Sequence, residues 1–232
     1  MNTIENFIEN KGYMIIEHSP NGYSNCYIAK KNSTFYFIKY INDRRRNKKA
    51  IIDILTEVSK IKHKNILNIE DILVLDENNI FCIYKHIKSQ TLNKYIKSNY
   101  YHTYDKKFYR LKKILIKIAK AIDFLHKNKI IHSDIIGANI LINERYNPII
   151  IDFDFALKTK KQKNIEKNID VLSFKTMVLQ IIFEQFFIEE NYKDYLENDI
   201  IQKKDFIIPR LKKCQNKHFK NCKQFIKYLF KK

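Results

Sequence analysis

Apolar and polar positions alternate in short runs over the first third of the chain and recur at helical spacing over the rest. Residues 13–16, 26–29, 35–41, 72–75 and 80–84 are rich in aromatic and β-branched side chains and bounded by polar or turn residues, which predicts strands. Between them Ile51, Ile54, Leu55, Val58 and Ile61 fall every three or four residues, the stripe of one amphipathic helix. After a polar connector, residues 85–91, the period changes. Leu111, Ile114, Leu115, Ile118, Ile122 and Leu125 form one helical stripe, and Val171, Phe174, Val178, Ile181 and Ile182 form another. Residues 1–84 therefore read as strand-rich with one helix and residues 92–232 as mainly helical, an α+β organisation without internal repeats.

Composition narrows the class. The chain has 232 residues, 45% of them hydrophobic, enough for a real core, and only 3 Gly and 3 Pro, which argues against a long unstructured linker. No apolar run reaches the ~18 residues that a membrane-spanning helix needs. The first residues, MNTIENFIEN, carry acids rather than the basic start and apolar core of a signal peptide. A cytoplasmic, reducing location is expected. Cys26 and Cys82 sit in strand-like runs, where a free thiol behaves as a small buried hydrophobe. Cys214, His218 and Cys222 are spaced by four and would line one helical face, but three ligands on one straight helix do not close zinc's tetrahedron.

Charge adds a second constraint. The 44 Lys+Arg outnumber the 25 Asp+Glu, for a net charge of +19. Such a field favours acidic or nucleic-acid-associated partners. The lysines are spread along the chain, with clusters at Arg44, Arg45 and Arg46 and at residues 158–167, so a solvated basic surface on a monomer is the plainer expectation.

The chemistry concentrates in residues 130–157, IIHSDIIGANILINERYNPIIIDFDFAL. His132, Asp134 and Asn139 share one short turn with the spacing H-x-D-x-x-x-x-N, and Asp152 ends the next apolar run in D-F-D. Phosphoryl transfer asks little covalent help of a protein; it asks for positioned charge and hard oxygen ligands. Mg²⁺ takes one or two carboxylates together with phosphate oxygens and waters. Asp152 and Asn139 can supply metal ligands, and Asp134 can accept a hydroxyl proton. A lone aspartate here would be a turn cap; three such groups in this order between apolar runs point to a site.

These residues resemble the catalytic and metal-binding loops of the protein-kinase-like superfamily. The likeness extends along most of the chain. FYFIKYI places Lys39 where kinases keep the lysine that pairs with ATP phosphates, TEVSKIKHKNILNIED resembles the end of the C-helix, and NIFCIYKHIKSQTLNKYI the strand, hinge and first large-lobe helix. NIDVLSFKTMVLQIIFE resembles the buried helix whose first-turn aspartate, here Asp170, braces the catalytic loop, and the tail resembles the last two kinase helices. The resemblance implies a bilobal fold in one domain, with residues 1–84 as small lobe, 85–91 as hinge and 92–232 as large lobe. It implies ATP and Mg²⁺ as cofactors and a protein acceptor. Catalytic roles would fall to Asp134, Lys39 and Asn139, and metal binding to Asn139 and Asp152. The nucleotide would meet Ser19, Asn21, Gly22, Tyr23, Ser24, Cys26, Lys39, Glu57 and Asp152, with Tyr84 at the back pocket and the backbone of Lys85 and Ile87 at the base. His132 would brace the metal loop.

Departures from the family pattern bear on mechanism. Ser19, Asn21 and Ser24 stand where three glycines let backbone N–H groups approach the phosphates. The family spacing from His63 lands on Ile54 rather than an acid, so the partner of Lys39 falls to Glu57 one turn on, or to Asp53. Ser133 replaces the arginine that reads activation-loop phosphorylation, and Ile136 and Ala138 replace a loop cation. Only residues 155–169 separate the metal loop from Asp170, without A-P-E, and Asn221 stands at the matching arginine. The reading is a small Ser/Thr protein kinase with a shortened activation segment; a pseudokinase scaffold and a small-molecule kinase are the alternatives.

Overall fold

A computed structural model describes residues 3–21, 24–41, 47–76, 79–98, 104–159, 164–187, 210, 213–214 and 216–231. The chain divides into two compact units, Met1–Lys88 and Ser89–Lys232.

The first unit is built on a five-stranded antiparallel sheet in the order β1-β2-β3-β5-β4. Its strands are β1 (Met14–Asn21), β2 (Ser24–Lys31), β3 (Thr34–Ile41), β4 (Ile69–Asp76) and β5 (Asn79–Lys85). Pro20, which has no N–H to give a ladder, lies on β1 at the sheet edge, where it is tolerated. Side chains alternate between faces. Tyr27, Ala29, Ile38, Tyr40, Phe81 and Ile83 share one face and a single buried cluster.

A helix absent from the sequence expectation closes this cluster: α1 (Thr3–Asn10) precedes the sheet, so the unit has two helices rather than one. Ile8 of α1 is fully buried in the cluster, with Ile4 and Phe7 packed against it. Gly12, at φ +83°, follows the helix in the left-handed conformation that glycine adopts without strain, and its N–H bonds the Glu9 carbonyl at 2.8 Å. The second helix, α2 (Lys48–Ser59), starts at Asn47, whose side chain accepts the Ala50 N–H, and buries Ile51, Ile54, Leu55 and Val58. It packs against β4.

The second unit is mainly helical. α3 (Leu92–Ser98), α4 (Tyr104–Lys127), α5 (Asn164–Phe187) and α6 (Cys222–Leu229) surround short strands β6 (Ser89–Thr91), β7 (Ile130–Ile131), β8 (Ile140–Asn143), β9 (Pro148–Ile150) and β10 (Leu157–Lys158). Both predicted helical stripes are buried, that of α4 from Leu111 to Leu125 and that of α5 from Val171 to Ile182. β6 lies within the stretch read as a plain polar connector; it pairs with β8, Ser89 opposite Asn143, and so extends the sheet β6-β8-β9. α6 is capped twice. Asn221 accepts the Gln224 N–H at 2.8 Å, and the Asp123 carboxylate of α4 accepts the N–H groups of Cys222 and Lys223 at 3.0 and 3.2 Å.

The proposed helical face of Cys214, His218 and Cys222 does not form. Residues 217–219 are not helical, and α6 begins afresh at the Asn221 cap. Cys214 and Cys222 are buried and form no disulfide, as holds for Cys26 and Cys82, whereas His218 is exposed. Among the described residues no group of three or more His, Cys, Asp or Glu side chains is placed to hold a metal. No described helix is long and apolar enough to cross a membrane. Arg44, Arg45 and Arg46 lie outside the described residues, as does part of the 158–167 cluster.

Candidate active site

In the second unit the loop between β7 and β8 is held by one buried carboxylate. Asp170, in α5 and 0% exposed, receives the backbone N–H of His132 on Oδ2 at 2.9 Å and that of Ser133 on Oδ1 at 2.8 Å. His126 Nε2, from the last turn of α4, lies 2.8 Å from Oδ2. The two loop N–H bonds pin the loop at the residues just before Asp134. Ser133 there takes a positive φ of 68°, which costs an L residue of order 1–3 kcal/mol and persists because its surroundings hold it.

His132 joins this loop to the next. It is fully buried, and its Nε2 donates to the Ile151 carbonyl at 2.9 Å while its Nδ1 accepts the Asp134 N–H at 3.3 Å. One nitrogen donates and the other accepts, so the ring is neutral with its proton on Nε2. Burial pushes its pKa down, and the nearby Asp170 carboxylate opposes that only in part. Phe153 packs on the ring at 4.8 Å between centroids.

Asp134 and Asn139 are joined directly. Asn139 Nδ2 donates to Asp134 Oδ2 at 2.7 Å and to the Asp134 carbonyl at 3.1 Å. Both contacts are with acceptors, which fixes the amide orientation and turns Oδ1 to other uses. The Asn139 carbonyl then accepts the Ile151 N–H at 3.0 Å, so the Ile151 peptide is gripped on both sides directly before Asp152. Asp152 is half-buried with φ +68°, a second strained residue at the same place. Asp134, Asn139 and Asp152 thus belong to one bonded group. Its donor set is hard oxygen, a carboxylate plus an amide oxygen, which fits Mg²⁺ and not zinc.

In the first unit Lys39 lies on the face of β3 opposite the α1 cluster. Its cross-strand neighbours are Cys26 on β2 and Cys82 on β5, both buried, with Phe37 and Tyr84 one pair further along. The rings of Phe37 and Tyr84 are 6.5 Å apart. In the sequence Phe37 counts only as one of the apolar neighbours of Lys39, not as a site residue; it stands two residues before Lys39, where the family motif V-A-I-K has a small alanine. Strand alternation from Lys39 would have placed it on this face. Glu57, on α2, pairs with Lys60 at 2.9 Å. Ser19, Asn21 and Ser24 lie on the β1–β2 hairpin, Asn21 opposite Ser24, while Gly22 and Tyr23 between them lie outside the described residues. Lys85 ends β5 exposed, and Ile87 is half-buried in the stretch before Ser89.

A lysine-bearing antiparallel sheet, and a helical unit whose α5 aspartate braces an H-x-D loop beside a strained aspartate, are the features of a protein-kinase-like chain. The protein kinase domain model matches residues 21–169, more than half of the sequence, and the chain belongs to that family. It is similar to the serine/threonine-protein kinase CLA4 of Candida albicans, 30% identical over 157 residues, 66% of this chain and 16% of that protein. It is also similar to a probable serine/threonine-protein kinase, samkC, of Dictyostelium discoideum, 34% identical over 149 residues, 62% of this chain and 16% of the other. Ribosomal protein S6 kinase alpha-1 of Rattus norvegicus is 25% identical over 169 residues, 69% of this chain and 22% of its own length. The chain therefore spans less than a quarter of each of these relatives.

Proposed function

We propose that the chain is an ATP- and Mg²⁺-dependent kinase that moves the γ-phosphate to a serine or threonine hydroxyl of a protein. The observation that carries this reading is the Asp134–Asn139 pair, in which the amide nitrogen is spent on Asp134 and the amide oxygen is left for a cation. Asp152 and Asn139 Oδ1 would hold Mg²⁺, which when bound supplies positive charge to the phosphates. Lys39 holds phosphate oxygens as a point charge. Asp134 orients the acceptor hydroxyl with the carboxylate oxygen not engaged by Asn139 and takes its proton. Asp170 and His132 position Asp134 and Asp152 without touching substrate. The backbone of Lys85 and Ile87 receives the base beside Tyr84, Cys26 lines the sheet face with Lys39, and Glu57 is the carboxylate partner of Lys39. The β1–β2 hairpin that bears Ser19, Asn21 and Ser24 covers the phosphates, less closely than glycines would allow. The Ser/Thr-kinase names of the similar proteins support the choice of acceptor.

A binding module without catalysis is the second reading, favoured by the side chains at the three glycine positions. Incubation with Mg²⁺, γ-labelled ATP and a mixed protein acceptor, beside Asp134→Ala and Asp152→Ala, separates the two. The kinase predicts acid-stable label on serine or threonine, reduced about a hundredfold or more in both variants. Equal labelling in all three proteins, or none in any, refutes it.

A further inference from the structure

We infer that Phe37 sets the nucleotide selectivity of this chain: its ring is the surface on which the base stacks, and the site therefore tells purine and pyrimidine triphosphates apart poorly. Strand pairing puts Phe37 in the middle of a row, between Ile28 of β2 and Tyr84 of β5. The next row on the same face is Cys26, Lys39 and Cys82. Two residues separate Phe37 from Lys39, about 6.6 Å along the strand, so a triphosphate held on Lys39 can lay its nucleoside over the Phe37 row. Tyr84 is 3% exposed, whereas Phe37 is half-buried, so the ring that this row offers a ligand is that of Phe37. The His86 N–H bonds the Phe35 carbonyl at 2.9 Å, which keeps the main chain after β5 alongside β3 just beyond this row.

The size of the side chain decides what the base can reach. A methyl group at position 37 would let a base lie close against β3, with its edge toward the main chain after β5. Phe37 puts a ring into that space, tilted by 39° to the Tyr84 ring with the centroids 6.5 Å apart. A base laid on it stands one carbon–carbon contact, about 3.5 Å, beyond the ring. Hydrogen bonds from main chain to base edge work over about 2.7–3.2 Å, so a displacement of that size removes the contacts that distinguish one base from another. What remains is indifferent to the base. Every base has a π-face to stack, and the Lys39 charge meets phosphates that all nucleotides share.

This inference rests on the phosphotransferase reading for its triphosphate, and the test separates the two. The Kd values of ATP, GTP, CTP and UTP with Mg²⁺ are measured by isothermal titration calorimetry, beside transfer of label from γ-labelled ATP and GTP. Wild type is compared with Phe37→Ala and with Phe37→Leu, which keeps most of the bulk without a π-face. The expected result in wild type is four Kd values within about threefold and comparable transfer from ATP and GTP. Phe37→Leu should weaken all four alike, by about fivefold or more, the loss of one stacked ring. Phe37→Ala should open a preference for ATP over GTP of about tenfold or more. A tenfold preference for ATP in wild type overturns the inference whether or not the variants fold, and so does a preference that Phe37→Ala leaves unchanged. Binding by Phe37→Ala alone overturns it too, the outcome if the ring fills the base site instead of lining it. Four similar Kd values in wild type without transfer would count against the kinase reading and leave the role of Phe37 standing; no binding by any of the three proteins would sink both.

Discussion

Asp170 shows how one residue sets a whole loop. Its carboxylate has no solvent contact and is surrounded by the N–H groups of His132 and Ser133 and by His126 Nε2. In Asp170→Asn one acceptor oxygen becomes an NH₂ that faces a donor, which orphans a buried N–H at a cost of about 1–3 kcal/mol. The denaturation midpoint should fall accordingly, with transfer lost along with it; an unchanged midpoint would show that the brace is dispensable. His132 gives a pH signature. Its folded pKa is depressed by burial, so as pH falls below about 6.5 the unfolded chain takes up the proton first, and stability declines by about 1.4 kcal/mol per pH unit for this group. His63, also lowered by burial, acts in the same direction, so the readout is a difference. Between pH 7.5 and 5, His132→Asn, which keeps a donor for the Ile151 carbonyl, should lose less stability than wild type; equal slopes would contradict a neutral buried His132. The placement of Asp134, Asn139 and Asp152 in one bonded group, braced by Asp170, was legible because the motif spacing fixes which side chains share a turn. The grip on the Ile151 peptide was not, since a main-chain bond leaves no mark on residue identity.

At the scale of elements, the strands, the long helical stripes and the change of period after residue 84 could be read from hydrophobic alternation alone. The strand-like runs proved shorter than the strands, because polar residues on the open face, such as Glu17 and Lys30, pair as well as apolar ones. The missed helix is α1. Ile4, Phe7 and Ile8 have helical spacing, but eight residues carry too little pattern, and such a helix is stable only through the sheet it covers. Ile8→Ala should therefore destabilise the first unit by about 2–5 kcal/mol in chemical denaturation, while a loss under 1 kcal/mol would show α1 to be a loosely attached ornament. The failed Cys214–His218–Cys222 face has a local cause as well: Asn221 begins a helix, and with Asp123 it supplies acceptors for three N–H groups of α6 that a continuous helix would have bonded internally.

At the scale of the molecule, the excess of lysine determines what the surface repels more plainly than what it binds. A groove beside Asp134, which Ile136, Leu172 and Met177 help to line, could not be seen in the sequence, because it depends on how α3 and α5 approach the loop, a tertiary fact. Family membership could be seen, because the catalytic spacing, the Lys39 strand and the Asp170 helix occur in one order along the chain. The claim on which the rest depends is that Asp152 and Asn139 hold a magnesium ion for a nucleotide that Lys39 and Asp134 also serve. A crystal structure with Mg²⁺ and a non-hydrolysable ATP analogue tests it most directly. The prediction is one ion about 2.1 Å from an Asp152 carboxylate oxygen and from Asn139 Oδ1, with the terminal phosphate facing Asp134. A nucleotide bound with its metal away from both residues, or no nucleotide at millimolar concentration, would contradict it.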